Sequence, residues 1–208
     1  SIVSAISFSR FRTRTYYDRL TINKQMKEIN NMNQQLQQLV HIDNLTGLYN
    51  RRFYEEKLPG LLAEFQANSD VCCMMFDIDY FKSYNDHYGH PAGDEALRAV
   101  SRILRDGLAT EDTYAIRYGG EELFVLARVP SQNQALATAE AICSALEKAY
   151  IPNSGSPYGK ITISCGLVYS ARGQQATMDV LTEKADEALY QSKDQGKNRA
   201  TLYAAHPD

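Results

Sequence analysis

Two aspartates follow the most apolar run of the chain. The run VCCMMFD, residues Val71–Asp77, has the length of a buried strand, and Ile78 and Asp79 come directly after it. Such a strand would deliver Asp77 to the edge of a sheet, where a carboxylate needs a partner because an unpaired buried charge is costly. The alternative is that the Asp-Ile-Asp segment only forms a turn.

A second group of carboxylates occurs in the segment RYGGEEL, residues Arg117–Leu123. Short strand patterns flank this segment, so it predicts a hairpin. The pair Gly119–Gly120 would let the backbone come close to a bulky ligand. The pair Glu121–Glu122 is self-repelling unless a cation lies nearby. A plain turn is again the alternative.

The two segments together predict a site for a divalent cation. If the hairpin lies beside the strand, Asp77 and Glu121 can share an ion, and oxygen ligands suit Mg²⁺, which takes further ligands from substrate phosphates. Lys82 and the segment Lys193–Lys197 would offset the charge of a triphosphate. No GxxxxGK[ST] segment occurs, so the chain has no P-loop.

The elements that must position these residues alternate between helix and strand patterns. The order α-β-α-β-β-α-β-α implies an α/β (α+β) fold with a mixed sheet and helices on its faces. Gly47 is expected to end a helix, and Asn50 to cap the next one. We predict helices over Arg51–Gln66, Asp94–Leu108, Gln132–Tyr150 and Met178–Lys193, and strands over Val71–Asp77, Thr113–Arg117, Glu122–Arg128 and Ile161–Tyr169.

Residues 1–40 are predicted to form a separate long helix in front of a domain at residues 41–208. Residues 16–40 contain neither Gly nor Pro, and their apolar spacing follows the seam of a short parallel coiled coil. The alternative is a solvated helix packed on its own domain. The seam positions are Ile22, Met26, Ile29, Asn33, Leu36 and Val40.

The first residues, SIVSAISFSRFRTR, are apolar and then basic. They fit the cytoplasmic end of an upstream membrane helix, with the arginines on the inner side. They fit equally well an internal boundary of a larger protein. No run in the chain is long and apolar enough to span a membrane itself.

Composition excludes several classes of protein. The chain has 208 residues, 44% hydrophobic and 23% charged, which leaves room for one domain and an appendage. The net charge of −3 argues against a general nucleic-acid binder, but not against a phosphate ligand held by metal ions. Four cysteines without metal-ligand spacing indicate reduced, buried thiols of a cytosolic protein.

The motifs resemble those of GGDEF domains, the diguanylate cyclases. RYGGEEL is similar to the signature hairpin of that family, in a GGEEL variant. Further motifs follow the family's order over about residues 41–205. They are DNLTGLYNRR (Asp43–Arg52), FDIDYFKSYND (Phe76–Asp86), GHPAGDEAL (Gly89–Leu97) and ADEALYQSKDQGKNR (Ala185–Arg199).

The resemblance implies that two GTP condense to cyclic di-GMP with release of two pyrophosphates. It implies a mainly antiparallel sheet, akin to nucleotide cyclases and polymerase palm domains. It also implies two Mg²⁺ per active site, with Mn²⁺ as a substitute, and a homodimer of facing active sites. An upstream sensor or membrane domain and a cytoplasmic location in a bacterial signalling protein belong to the same expectation.

The resemblance also assigns roles to individual residues. The metal ligands would be Asp77, the carbonyl of Ile78 and Glu121, and the catalytic residues Glu121, Glu122 and Lys82. Substrate would be bound by Asn85 and Asp94 at guanine, by His90, by the phosphate turn Tyr80, Phe81 and Lys82, and by Lys193 and Lys197. The signature hairpin would comprise Gly119, Gly120, Glu121, Glu122 and Leu123.

Simple chemistry agrees with these roles. An aspartate that accepts from guanine N1–H and N2–H₂ cannot do the same with adenine. Metal coordination would lower the pKa of the attacking 3′-hydroxyl, and Glu121 is the carboxylate expected to accept its proton. Because one domain would hold one GTP, the N-terminal helix would raise the effective concentration of the second domain.

Three positions depart from the family's pattern. Leu123 stands where Phe is usual, and Lys197 where Arg is common. Thr110 and Thr113 replace the Arg and Asp of an RxxD site that inhibits many relatives. We therefore predict no product inhibition through this site.

Other functions remain as alternatives. The first is a catalytically weak module that binds GTP or cyclic di-GMP. The second is a cyclase for other nucleotides on the same scaffold, and the third is a coiled-coil signalling relay without catalysis.

Overall fold

The computed structural model describes residues 25–26, 41–108 and 112–204. By its internal contacts the chain divides into two units, Ser1–His41 and Ile42–Asp208. The coiled-coil prediction lies outside the described residues, apart from Gln25 and Met26, which are helical and exposed. No helix in the described ranges is long and apolar enough to cross a membrane.

The second unit forms a mixed α/β fold. Its described strands are β1 (Val71–Ile78), β2 (Thr113–Arg117), β3 (Glu122–Arg128), β4 (Ile163–Ser170) and β5 (Ala200–Leu202). Its described helices are α1 (Arg51–Glu56), α2 (Leu58–Asn68), α3 (Phe81–Tyr88), α4 (His90–Gly107), α5 (Gln132–Ala149) and α6 (Met178–Asp194).

One sheet joins the strands in the order β2-β3-β1-β4-β5. Each neighbouring pair is antiparallel except β4 and β5, which are parallel. The mixed, mainly antiparallel sheet with flanking helices confirms the predicted fold class.

Strand β1 is apolar throughout because both of its faces are covered. Cys72, Met74 and Phe76 point into one core layer, beneath α4 and α5. Cys73 and Met75 point into the other, beneath α2 and α6. Pairing with β3 on one side and β4 on the other satisfies the backbone of β1. The central strand thus holds its carboxyl end, and Asp77 with it, in a fixed position.

The cysteines are confirmed as free, buried thiols. Burial raises the pKa of Cys73 to about 12 and that of Cys143 to about 12. Neither side chain therefore carries a thiolate near neutral pH.

The first predicted helix is in fact two helices. Asn50 caps α1 as predicted, and its side chain accepts a hydrogen bond from the amide of Phe53. The chain breaks at Lys57, and Pro59 lies in the first turn of α2. Proline lacks an amide hydrogen and clashes with the carbonyl four residues earlier, so it starts a helix rather than continuing one.

Two elements were not predicted, α3 and β5, and α4 begins at His90 instead of Asp94. Gly89 separates α3 from α4 with a φ of 82°, which favours glycine. Strand β4 runs from Ile163 to Ser170 rather than from Ile161 to Tyr169. The two hairpin strands have the predicted bounds.

Candidate active site

The turn between β2 and β3 contains two glycines in different surroundings. A Cβ at Gly119 would lie 2.3 Å from Oε2 of Glu122, so the protein itself leaves no room there. The amides of Tyr118 and Gly119 donate to the carbonyl of Glu122 at 2.9 and 3.2 Å and close the turn. A Cβ at Gly120 would meet no described atom within 4 Å, so the space above it is open to a ligand.

Arg117 stabilises this turn through hydrogen bonds to its backbone. Its Nη2 and Nε donate to the carbonyl of Gly120 at 2.9 and 3.3 Å, and its Nη1 contacts both carboxylate oxygens of Asp43 at 3.3 Å. Asp43 also accepts from the amide and hydroxyl of Thr46, at 2.9 and 2.7 Å. Burial alone would raise the pKa of Asp43, but the Thr46 hydrogen bonds and the Arg117 charge outweigh it and lower that pKa.

Asp77 is the last residue but one of β1 and lies directly opposite Glu122 in the β1–β3 register. Its Oδ1 lies 2.7 Å from Nζ of Lys193, in an ion pair whose Asp77 side chain is 15% exposed. Burial raises the pKa of Asp77, and the ammonium group of Lys193 opposes that rise. Lys193, predicted as a phosphate contact, is here the counter-ion of the predicted metal ligand.

Glu121 completes an acidic group with Asp77 and Glu122. Burial raises the pKa of Glu121, and the charges of Asp77 and Glu122 raise it further. The half-buried carboxylates therefore repel one another, and Lys193 supplies only one positive charge among them.

The donors in this acidic group fit a hard divalent cation, since Asp77, Glu121 and the carbonyl of Ile78 all offer oxygen. The fit depends on that backbone carbonyl and on further oxygens from a ligand. Within the described ranges, no group of three or more His, Cys, Asp or Glu side chains is arranged to hold a metal by itself.

Asp79, the second aspartate of the Asp-Ile-Asp segment, is bonded by other residues of the protein and stabilises the fold. Its side chain is buried and accepts from the hydroxyls of Thr162 and Ser164, at 2.8 and 2.7 Å. It also accepts from the amide of Asn198 at 3.1 Å. Its oxygens thus tie β4 and the turn after α6 to the end of β1.

The predicted phosphate turn lies where α3 begins. Tyr80 adopts a left-handed conformation, with φ 57° and ψ 28°, and turns the chain sharply out of β1. No side chain of the described residues caps this helix start, so the amides of Phe81 and Lys82 remain available. The side chain of Phe81 is buried, whereas Lys82 is exposed.

A small pocket lies between α3, α4 and the hairpin. Its volume of about 180 Å³ is below the roughly 300–1,000 Å³ of a site that encloses a whole small molecule, so it suits only part of a nucleotide. The Oδ1 atom of Asn85 is buried and has no hydrogen-bond partner among the described residues. The pocket lining comprises Phe81, Asn85, His90, Gly93, Asp94, Leu97, Arg117, Gly120 and Glu121.

Gly93 shapes this pocket. A Cβ there would lie 1.9 Å from Oδ1 of Asn85, so a larger residue would displace the amide. His90 and Asp94, in the first turns of α4, are exposed at the pocket. The structure thus brings Asn85, His90 and Asp94 together with Glu121.

The last predicted phosphate contact, Lys197, lies in the turn after α6. Its Nζ is 5.1 Å from the ring centroid of Tyr80, which places it beside the start of α3. Gly196, Lys197 and Asn198 all have positive φ, at 111°, 65° and 49°. Leu123, the variant signature position, is fully buried in the core.

The predicted loss of the RxxD site falls partly outside the described residues, which exclude Thr110 and Glu111. Asp112 pairs with Arg128 at 3.2 Å, and Thr113 begins β2. The absence of product inhibition stays a prediction.

Three contacts that shape the site were not predicted from the sequence: the ion pair of Arg117 with Asp43, the close packing of Gly93 on Asn85, and the ion pair of Lys193 with Asp77. All of these residues lie within the quoted motifs. Their pairing depends on contacts between distant segments, which the spacing of a motif does not contain.

The sheet and the carboxylates at its end define an α/β domain with an acidic site that a bound cation would stabilise. Residues 40–199 match the family described as diguanylate cyclase, GGDEF domain. The diguanylate cyclase VdcA of Vibrio cholerae is 36% identical over 183 residues, which are 86% of this chain and 52% of VdcA. The diguanylate cyclase DgcM of Escherichia coli is 35% identical over 181 residues, 86% of this chain and 42% of DgcM.

Solved structures agree with these relatives. The coiled coil and GGDEF domain of DgcB from Caulobacter crescentus, in complex with c-di-GMP, superposes with a TM-score of 0.75 at 28% identity. The match covers 86% of this chain and 94% of that one. The chain therefore belongs to the GGDEF family of diguanylate cyclase domains. It spans about half the length of the curated relatives it matches.

Proposed function

We propose that this chain condenses two GTP into cyclic di-GMP and releases two pyrophosphates. The observation that carries the proposal is that Glu121 lies beside both Asp77 and the pocket of Asn85. This arrangement suits a nucleotide with its base in the pocket and its phosphates at the carboxylates. Family membership and two relatives that are diguanylate cyclases support it.

Guanine would enter the small pocket between α3 and α4. Its amino and ring N–H groups can donate to the unpartnered Oδ1 of Asn85 and to the carboxylate of Asp94. A base that lacks these donors would leave the buried oxygen of Asn85 unpaired, which disfavours its binding.

The phosphates would lie along the start of α3 and the end of α6. Amides of Phe81 and Lys82 would donate to phosphate oxygens, and Lys82, Lys193 and Lys197 would neutralise their charge. Lys193 would exchange its partner in this state, from the carboxylate of Asp77 to a phosphate. Phosphoryl transfer depends mainly on such positioning and charge neutralisation.

The chemical step joins two domains that face each other. The 3′-oxygen of one GTP attacks the α-phosphorus of the other, the bond to pyrophosphate breaks, and the 3′-proton passes to Glu121. A second, equivalent step closes the ring. When bound, Mg²⁺ or Mn²⁺ lowers the pKa of the 3′-hydroxyl and neutralises phosphate charge. Asp77, the carbonyl of Ile78 and Glu121 would hold the ions, with Glu122 beside them.

The wider setting belongs to the same proposal. The helix of residues 1–40 would hold two domains together as a parallel coiled coil. An upstream sensor or membrane domain would control it, with the catalytic domain in the cytoplasm, where GTP is available. The Thr110 and Thr113 substitutions would leave the enzyme free of RxxD product inhibition.

The direct test is incubation of the purified chain with GTP and Mg²⁺, with the product identified by mass. We expect cyclic di-GMP and pyrophosphate from the wild type, none from Glu121→Ala, and wild-type activity from Glu183→Ala, an exposed glutamate on α6. Wild-type protein that binds GTP without turnover, even after forced dimerisation, would instead support the binding-module alternative.

A further inference from the structure

We propose that residues 151–160, between α5 and β4, hold the two phosphate-binding elements in place, with Tyr158 as the positioning residue. This bridging loop lies outside all the predicted motifs. One phosphate-binding element is the start of α3, and the other is the turn that carries Lys197. The inference rests on the function proposed above.

The bridging loop is stiffened by its own hydrogen bonds. The amide of Asn153 donates to the carbonyl of Gly159 at 3.1 Å, and Ile161 donates to Ile151 at 2.8 Å. Asn153 is fully buried, and its Oδ1 accepts from the amide of Gly155 at 3.0 Å. A loop closed in this way can transmit position from one neighbour to another.

One side of the bridging loop contacts α3. The hydroxyl of Tyr88 accepts from the amide of Ser154 and donates to its Oγ, both at 3.0 Å. Gly155 packs so closely on Ser83 that a Cβ there would lie 2.2 Å from the serine Oγ. Helix α3 carries the phosphate turn at its start, so its position sets that turn.

The other side contacts the turn after α6. The hydroxyl of Tyr158 donates to the carbonyl of Gly196. The next residues, Lys197 and Asn198, have positive φ, a conformation that is strained in residues other than glycine and persists only where surrounding contacts enforce it. Asp79 fixes the amide of Asn198, and Tyr158 fixes the carbonyl of Gly196. Lys197 lies between these two anchors.

A salt bridge attaches the base of the bridging loop to α5, with Nζ of Lys160 3.1 Å from Oε1 of Glu147. The loop therefore has three attachments: α3, α5 and the Lys197 turn. Removal of the Tyr158 hydroxyl would detach only the last of these, and Lys197 would then be held relative to α3 by the Asp79 anchor without the Tyr158 anchor.

The test measures binding of 3′-deoxyguanosine triphosphate, which lacks the attacking hydroxyl, by calorimetry with Mg²⁺. Tyr158→Phe should raise its Kd about two- to tenfold, the value of one hydrogen bond. Binding of guanosine, measured by competition, should not change because guanosine has no phosphate. In a Lys197→Met background the effect of Tyr158→Phe should largely disappear, since both act on the same contact.

Tyr190→Phe is the matched control, because Tyr190 is 71% exposed on α6, and it should bind like the wild type. Thermal unfolding of all variants shows whether the fold is retained. Unchanged triphosphate affinity in Tyr158→Phe, or an equal loss for guanosine, overturns the positioning role. A wild type that fails to bind the triphosphate contradicts the proposed function itself, and with it this inference.

Discussion

Replacement of Lys193 by methionine should strengthen the binding of a divalent cation to the nucleotide-free domain. Nζ of Lys193 lies 2.7 Å from Oδ1 of Asp77, a proposed metal ligand. A cation that binds to Asp77 must displace this ammonium group, so the ion pair competes with the metal. Methionine keeps an unbranched apolar side chain of similar size but removes the competing ammonium group.

The size of the effect follows from the geometry of the pair. A hydrogen bond to a charged group contributes about 1.5–3 kcal/mol, and each ~1.4 kcal/mol corresponds to a factor of about ten in affinity. The side chains of Lys193 and Asp77 are 33% and 15% exposed, so water screens the pair only in part. We therefore expect the affinity for the cation to rise about ten- to a hundredfold.

The assay is a titration with Mn²⁺, in which electron paramagnetic resonance reports the free ion. Lys184→Met is the control for net charge, because Lys184 lies on the same helix but contacts the ring of Tyr203, 5.4 Å from its centroid. Equal affinities in all three proteins, or an equal gain in both variants, would refute the competition. With GTP present the sign should reverse for Lys193→Met, since the phosphates then lose a lysine.

Further predictions concern the base pocket, Asp77 near the end of β1 and Asp79 directly after it. Gly93→Ala should raise the KM for GTP roughly tenfold in steady-state kinetics, because the new Cβ displaces the Asn85 amide. Gly60→Ala is the control and should leave the KM unchanged, because its Cβ would meet no described atom within 4 Å. Asp77→Asn should abolish cyclase activity without lowering the melting temperature, while Asp79→Asn should lower it, because three donors converge on the buried Asp79 carboxylate. Since the pKa of Asp77 is raised, the folded state binds its proton more tightly than the unfolded state. The contribution of Asp77 to the free energy of unfolding should therefore fall as pH rises from 3.8 through the folded-state pKa, and the difference in that free energy between the wild type and Asp77→Asn should change by the same amount.

Local sequence patterns predicted the helices and strands that can be recognised from their own residues alone. The apolar run of β1 and the glycine turn between β2 and β3 needed no distant partner to be recognised, and both hairpin strands have their predicted bounds. Helix α3 was missed because its eight residues, FKSYNDHY, are mostly polar and follow two aspartates that resemble a turn. Strand β5 has three residues and depends on pairing with β4.

The candidate site was predictable in its membership but not in its pairings. Motif order selected Asp77, Asn85 and Lys193, yet it gave no indication that Lys193 neutralises Asp77. It also did not distinguish the role of Asp77 from that of Asp79, although the carboxylate of Asp79 is held by the protein's own donors. These pairings depend on tertiary contacts between the ends of β1, β4 and α6, and the order of motifs along the sequence does not specify those contacts.

The positions that break local rules give an argument for the site that is independent of the family. Among the described residues other than glycine, positive φ occurs at Tyr80, Lys197, Asn198 and Tyr150. Tyr150 directly follows α5 as its C-cap, where such a conformation is common. The other three surround the proposed phosphate site.

The buried oxygen of Asn85 and the repelling carboxylates lie at the same end of the sheet. Asn85 keeps a buried oxygen unpartnered within the described ranges, and burial raises the pKa of both Asp77 and Glu121. Each of these features costs stability in the ligand-free domain. A nucleotide with its cations would relieve them together, by donating to Asn85 and by placing positive charge between the carboxylates. Backbone strain and repelling carboxylates at one end of a sheet are typical of a domain that binds a ligand there.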